Sequence, residues 1–186
     1  MRWVKRSLVV ASLLLIATVG MCLHHYLPRH EVVHVTGVEV KRMDADGVIS
    51  AENPADGPTR DVYFINTENP TTREVTVYRN EDTGWGFPWY FKFDSADVQA
   101  RAQGYSRDPE QLALIRYYGW RFQIFSMFPN ITDIKAANSL DEPFPLFNTL
   151  FFSILLILLV SVALLVRRAL ARRNRPMVAD TPAPRG

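Results

Sequence analysis

The 186-residue chain is 48% apolar and balances 21 Lys+Arg against 19 Asp+Glu, for a formal net charge of +2. That balance hides a segregation: residues 28–145 hold 12 basic against 18 acidic side chains, while the flanking tails hold nine basic residues against one Asp. A central part this acidic disfavours a nucleic-acid partner, and the one cysteine excludes an intramolecular disulfide, so the central part must hold together by packing alone.

Residues 1–6 form a basic N-terminus with Arg2, Lys5 and Arg6, and an uncharged apolar run extends from Ser7 to Leu23. This pattern reads as a cleaved signal peptide or as an uncleaved anchor. Val19-Gly20-Met21-Cys22 leads directly into Leu23-His24-His25 without a small-x-small site, which favours an anchor helix over 7–27 with Tyr26 and the histidines in the headgroup zone. Met21 stands where lipoprotein processing at Cys22 would want Gly or Ala. His24, His25, His30 and His34 are close enough in sequence to suggest a shared metal. Adjacent histidines, however, diverge by about 100 degrees on a helix, and Pro28 interrupts regular geometry. No metal or other cofactor is expected.

From residue 28 to 142 an alternation of period two dominates. Val33 and Val35 fall on one phase, Val38 and Val40 on the other, and the slip at Thr36-Gly37 predicts a bulge that bends one strand. Asp44–Thr59 carries Asp46-Gly47, Asn53-Pro54 and Asp56-Gly57-Pro58 and reads as a loop. Asp61–Asn66 and Glu74–Arg79 are two further strands joined by a hairpin through Thr67–Arg73. Trp85, Phe87, Trp89, Phe91 and Phe93 then recur at every second residue. The favoured reading is one buried, aromatic-lined strand face; the other is a surface that stacks on ligands or touches a membrane.

Asp94 is placed to cap a short helix over Ser95–Gln103, with Phe93 and Val98 at staple positions and Gly104 as the stop. Leu112–Phe125 alternates again, with Leu114, Tyr118, Trp120, Phe122 and Ile124 on or near one phase, and Ile131–Ile134 closes as a last strand. Three strands, a helix and two strands follow the order of an OB-type barrel. The expected fold class is therefore mostly β: a small OB-like barrel with one short helix, flanked by two transmembrane helices.

The second of these is the stretch Pro143–Val166, which has no ionisable side chain and meets Arg167 and Arg168 at its end. At about 1.5 Å per residue it covers a hydrocarbon core of about 30 Å with some tilt, and a helix is the single-segment solution to backbone pairing there. Basic residues beside both spans place both termini in the cytoplasm and the central domain outside. The remaining tail, 167–186, is basic and ends in Pro182, Pro184 and polar residues, a composition expected to be disordered.

Four strings carry a family likeness: Arg79-Asn80-Glu81-Asp82, Lys92-Phe93-Asp94-Ser95-Ala96-Asp97, Tyr118-Gly119-Trp120-Arg121 and Phe128-Pro129-Asn130-Ile131. In this order, over about residues 8–166, the chain resembles a bacterial inner-membrane family of unknown function with an N-terminal apolar segment, an external domain and a C-terminal span. The resemblance implies a bacterial inner-membrane location and brings no catalytic residues.

The residues themselves show no nucleophile elbow, Ser/His/Asp order, phosphate loop or zinc pattern. Asn80, Glu81, Asp82, Arg121 and Asn130 are the candidate ligand- or partner-binding residues, with no catalytic assignment. Two functions are weighed. One is a non-enzymatic module that binds another envelope protein or a small ligand beside the lipid bilayer. The other is an envelope enzyme or ligand site built on Asn80–Asp82 with Arg121. A turn that satisfies its own backbone is the simpler account of Glu81-Asp82, and Trp120 is expected to be buried.

Overall fold

A computed structural model describes residues 2–44, 47–52 and 54–173. The chain divides into two units, 1–145 and 146–186. The first begins with helix α1, Arg2–Tyr26, which takes in the basic N-terminus as well as the apolar run. Only Leu27 and Pro28 separate it from strand β1, Arg29–Asp44. Next come the two-residue β2 at Gly47–Val48, β3 at Arg60–Glu68, β4 at Val75–Asn80, helix α2 at Ser95–Tyr105, β5 at Leu112–Tyr118 and β6 at Asn130–Ala137.

The strands form one mixed sheet of five principal strands, with β2 an appendage hairpinned onto the end of β1. The pairings are antiparallel except for β4 with β6, which run parallel through Arg79 and Asn130. The expected bulge is present: the β1–β3 register shifts between Val35 and Gly37. The shift also divides the labour of β1, whose first half, Arg29–His34, pairs with β5, while residues from His34 onward pair with β3. An extra residue bends a strand and raises its twist, which lets one strand serve two neighbours.

The main core lies on the face of Val33, Val35, Ile65, Tyr78, Ala113, Ile115, Ile131 and Ile134, and α2 adds Val98 and Ala102 to it. A second, smaller cluster occupies the other face of β3: Met43, Val62 and Phe64, with Phe128 packed edge-on to Phe64 at 5.0 Å. Val40, by contrast, stays 54% exposed.

Several expectations need correction. The aromatic run from Trp85 to Phe93 is not a strand and is not buried, its five rings being 53–80% exposed. The residues between those rings are Gly86, Pro88, Tyr90 and Lys92; proline lacks a ladder donor and glycine weakens a strand. The segment turns on itself rather than joining the sheet, with Gly86 N–H donating to the Thr83 carbonyl and Gly84 N–H to the Lys92 carbonyl. In β5 the phase is inverted: Ala113 and Ile115 are fully buried and Leu114 only half-buried. Cross-strand pairing sets that phase, since Ala113 stands opposite Val33 and Ile115 opposite Ile134. The strand ends at Tyr118, so Trp120 is half-buried, and Ile124, in a turn closed by a Phe122–Met127 bridge, is 90% exposed. Helix α2 runs through Gly104 to Tyr105.

The second unit is helix α3, Leu146–Arg173. It starts three residues later than expected, because Pro145 disfavours helical geometry at Phe144. It also continues through Arg167, Arg168 and Arg172, where the Arg-Arg-Ala-Leu-Ala-Arg-Arg run is rich in good helix formers. The rest of the expected disordered tail, 174–186, lies outside the described residues. Both α1 and α3 are long and apolar enough to span a membrane, and their apolar side chains face outward all round, as Leu15 and Ile157 do at 66% exposure.

Candidate functional site

The strings that are far apart in sequence meet at one end of the sheet. Asn80, the last residue of β4, is fully buried. Its Nδ2 donates to the Ser95 carbonyl at 2.8 Å and to Gln99 Oε1 at 3.0 Å, so it ties β4 to the first turn of α2. Its Oδ1 accepts from the Lys92 ammonium, which also donates to the Ile131 carbonyl at 2.7 Å. Lys92 is only 4% exposed, and burial pushes its pKa down to about 8 against the opposing pull of the Asp82, Asp94 and Glu81 carboxylates.

Asp82 does the capping expected of Asp94. Its two carboxylate oxygens accept from the Ser95 N–H and hydroxyl, both at 2.9 Å. Asp94 makes no side-chain cap and pairs instead with Arg101 at 3.2 Å. A carboxylate brought in by the chain thirteen residues upstream satisfies the helix N-terminus as well as a local one would.

Glu81 lies between Arg60 at 3.0 Å and Arg79 at 2.9 Å. The Asn130 amide fixes its backbone: the Glu81 N–H donates to Asn130 Oδ1 at 2.9 Å, and Asn130 Nδ2 donates to the Glu81 carbonyl at 3.0 Å. This is a side chain filling the place of a strand partner just where the single parallel pair ends.

These groups border a cleft of about 370 Å³ lined by Arg60, Arg79, Glu81, Tyr118 and Phe128 on the sheet side and by Phe87, Pro88 and His25 opposite. Glu81, Asp82 and Asn130 of the candidate set line it, Asn80 lies buried behind them, and Arg121 is not part of its lining. The exposed Arg121 donates to the Met127 carbonyl at 2.9 Å and stacks on the Phe128 ring at 4.1 Å. The cleft offers a guanidinium pair and a paired carboxylate, but its one aliphatic hydroxyl, on Thr83, accepts from the Lys92 N–H. Among the described residues no three His, Cys, Asp or Glu side chains stand together as a metal site. His24 and His25 face Trp120, and His30 and His34 sit along β1.

Three groups lay beyond sequence reasoning. Lys92 was visible only as part of a string, and Arg60 falls between the loop that ends at Thr59 and the strand expected from Asp61. The third is a pair in the core, where the Tyr78 hydroxyl donates to Glu31 Oε2 at 2.7 Å; burial raises the tyrosine pKa. The strand position of Tyr78 was readable, but Glu31 lies before the alternation that begins at Val33, and their meeting depends on three strands lying side by side.

Fold and site together define a mixed-sheet β domain carried between two helices long enough to cross a membrane. The chain belongs to the family described as "Protein of unknown function (DUF1523)", whose model matches residues 4–170. It is similar to an "Uncharacterized protein" of Haemophilus influenzae, 53% identical over 120 residues, covering 64% of this chain and 68% of that one. No solved structure matches.

Proposed function

We propose that the protein is a bacterial inner-membrane protein with two spans and both termini in the cytoplasm. In this reading α1 is an uncleaved signal anchor, and the β domain is a periplasmic, OB-like barrel that serves as a non-enzymatic interaction module. The barrel reading draws on the pairings, which pass from β1 through β3, β4, β6 and β5 back to β1, with α2 between β4 and β5. The orientation draws on the basic residues beside each span.

The observation that carries the non-enzymatic reading is the commitment of the cleft carboxylates. Glu81 neutralises two guanidinium groups and Asp82 is consumed by the α2 N-terminus. An acid/base pair needs a carboxylate free to exchange a proton with substrate, and these hold the fold. Tethering at both ends keeps such a module at high effective concentration for other membrane proteins. Its partners are the lipid bilayer and a neighbouring envelope protein; nucleic acid is not among them.

One feature favours a small-ligand reading: Arg79 Nε is buried with no hydrogen-bond partner, and Arg60 beside it is mostly exposed. An anion there would compete with Glu81 for both cations.

A reporter active only outside the cytoplasm is expected to work within residues 44–59 and to fail after Gly186, and the reverse pattern overturns the orientation. A photocrosslinker at Arg60 in native membranes is expected to capture one envelope protein, and Glu81→Lys is expected to abolish that capture. Saturable binding of a small anion by the purified protein, lost in Arg79→Gln, would replace the module reading with the ligand reading.

A further inference from the structure

We infer that the two aromatic loops, 83–93 and 120–128, insert into the headgroup layer of the bilayer that α1 crosses. The β domain then rests on the lipid surface at the foot of its anchor. This rests on the reading of α1 as a span.

Composition singles out these loops. Among the described residues from 29 to 137, eleven large apolar side chains are exposed, and nine of them lie here; Val40 and Val75 are the others. Neither 83–91 nor 122–128 contains an Asp, Glu, Lys or Arg. An apolar patch of this kind on an otherwise well-covered domain marks an interaction surface. Trp and Tyr with neighbouring apolar residues are the mixture that favours the zone between water and hydrocarbon.

Geometry then decides what covers the patch. Both loops are fastened to the last turn of α1. The Phe87 ring packs edge-on against Tyr26 at 4.6 Å, and the Tyr90 hydroxyl donates to the Tyr26 carbonyl at 2.6 Å. Trp120 packs edge-on against His25 at 4.8 Å, and its indole N–H donates to His24 Nδ1 at 2.7 Å. Gly119 N–H donates to the His25 carbonyl at 2.8 Å, which ties the end of β5 to the same turn. A helix of 25 residues is about 37 Å long against a hydrocarbon core of about 30 Å, so its last turn lies at headgroup depth when it spans. With two residues between α1 and β1 there is no slack by which the domain could lift away. Rings bonded to His24, His25 and Tyr26 must share their depth, so the bilayer is the surface the patch meets.

The other pole of the domain provides the contrast. Asn80 accepts from Lys92 at the end of the first loop, and Val75 begins the same strand five residues away, about 17 Å at strand rise.

The test uses the full chain with Cys22→Ser, reconstituted in vesicles of phosphatidylethanolamine and phosphatidylglycerol. It carries a nitroxide on a single new cysteine at Leu14, Ile124 or Val75. Accessibility to oxygen relative to a water-soluble nickel chelate reads depth. The expected order is Leu14 deepest, Ile124 at the interface, and Val75 indistinguishable from water. Ile124 as aqueous as Val75, with Leu14 deep, overturns the inference and leaves the span intact. An aqueous Leu14 overturns the span and the inference with it. If Ile124 is aqueous in lipid vesicles but shielded from both reagents in native membranes, the loops meet a protein and the inference fails. The exposed Trp89 gives a second reading without a label: as the sole tryptophan, after Trp→Phe changes at 3, 85 and 120, it is expected to be quenched by shallow brominated lipid. Quenching by aqueous acrylamide alone overturns the inference.

Discussion

Two stretches of the β domain have the same spacing of apolar residues and opposite fates. In β1, Val33 and Val35 alternate and are 1% and 4% exposed. Between Trp85 and Phe93 five larger rings alternate and stay open to solvent. The difference lies in the residues between. Around Val33 and Val35, the backbone of Val32 and His34 pairs with neighbouring strands. Between the rings, Gly86 turns back on Thr83 and Pro88 has no N–H to give, so the run joins no strand of the sheet. Alternation therefore makes a buried face only where the intervening backbone has strands to join. Without them it leaves a surface, and here that surface lies against the end of α1.

This contrast is broken most forcefully in the core. Ile115→Ala, at a fully buried position, is expected to cost about 2–5 kcal/mol of unfolding free energy. Denaturant titration of the full chain in detergent micelles measures it, and a loss below about 1 kcal/mol would mean that β5 does not seal the core as described.

Next in size is the buried lysine at the end of the first aromatic loop. With Lys92 lowered to about 8 in the fold and near 10.5 unfolded, the unfolded chain binds more protons between these values. Stability must then rise with pH across that window, by roughly 3 kcal/mol in all. Burial raises Tyr78, Tyr90, Tyr117 and Tyr118, which act in the opposite sense as the unfolded tyrosines ionise. The difference between wild type and Lys92→Met isolates the lysine. A difference that does not change between pH 8 and 10.5 would show that Lys92 is not desolvated.

The joint between the two regions comes third. Gly119 has φ +94, and an added Cβ would stand 3.3 Å from Pro129 Cα. Gly119→Ala is expected to cost about 1–3 kcal/mol and to loosen the Trp120–His24 contact, visible as a red shift in tryptophan emission. Unchanged stability would mean that this backbone approach is not under constraint.

Smaller effects sharpen the assignment of roles. Asp82→Ala should cost about 0.5–2 kcal/mol as the loss of a helix cap. Asp94→Ala, which breaks one exposed ion pair, should cost less than about 0.5 kcal/mol. Thermal unfolding of the two variants ranks them, and the reverse ranking would restore Asp94 as the cap. Smallest of all, Ile124→Ala in detergent should stay within about 0.5 kcal/mol of wild type, since the 90% exposed side chain packs little against the fold.

What the sequence determined by itself was local. The two helices α1 and α3 follow from uncharged apolar runs, because such runs can satisfy their backbone alone. The bulge at Thr36-Gly37 follows from a one-residue slip in phase, and α2 from a polar entry at Asp94-Ser95 with Phe93 and Val98 spaced around it. Tertiary structure decided whatever depends on a partner far along the chain. Leu114 looked like the core residue of β5, but Val33 across the strand pair brings Ala113 and Ile115 inward. Trp120 looked buried, but β5 stops two residues earlier and the ring turns to α1. Arg121 looked like the free cation beside Glu81, but the guanidinium that arrives from outside β4 belongs to Arg60, twenty-one residues before that carboxylate. Period and caps are set within one or two turns of chain, whereas strand register decides which face is inside and which charges meet. No window of a few residues contains that register.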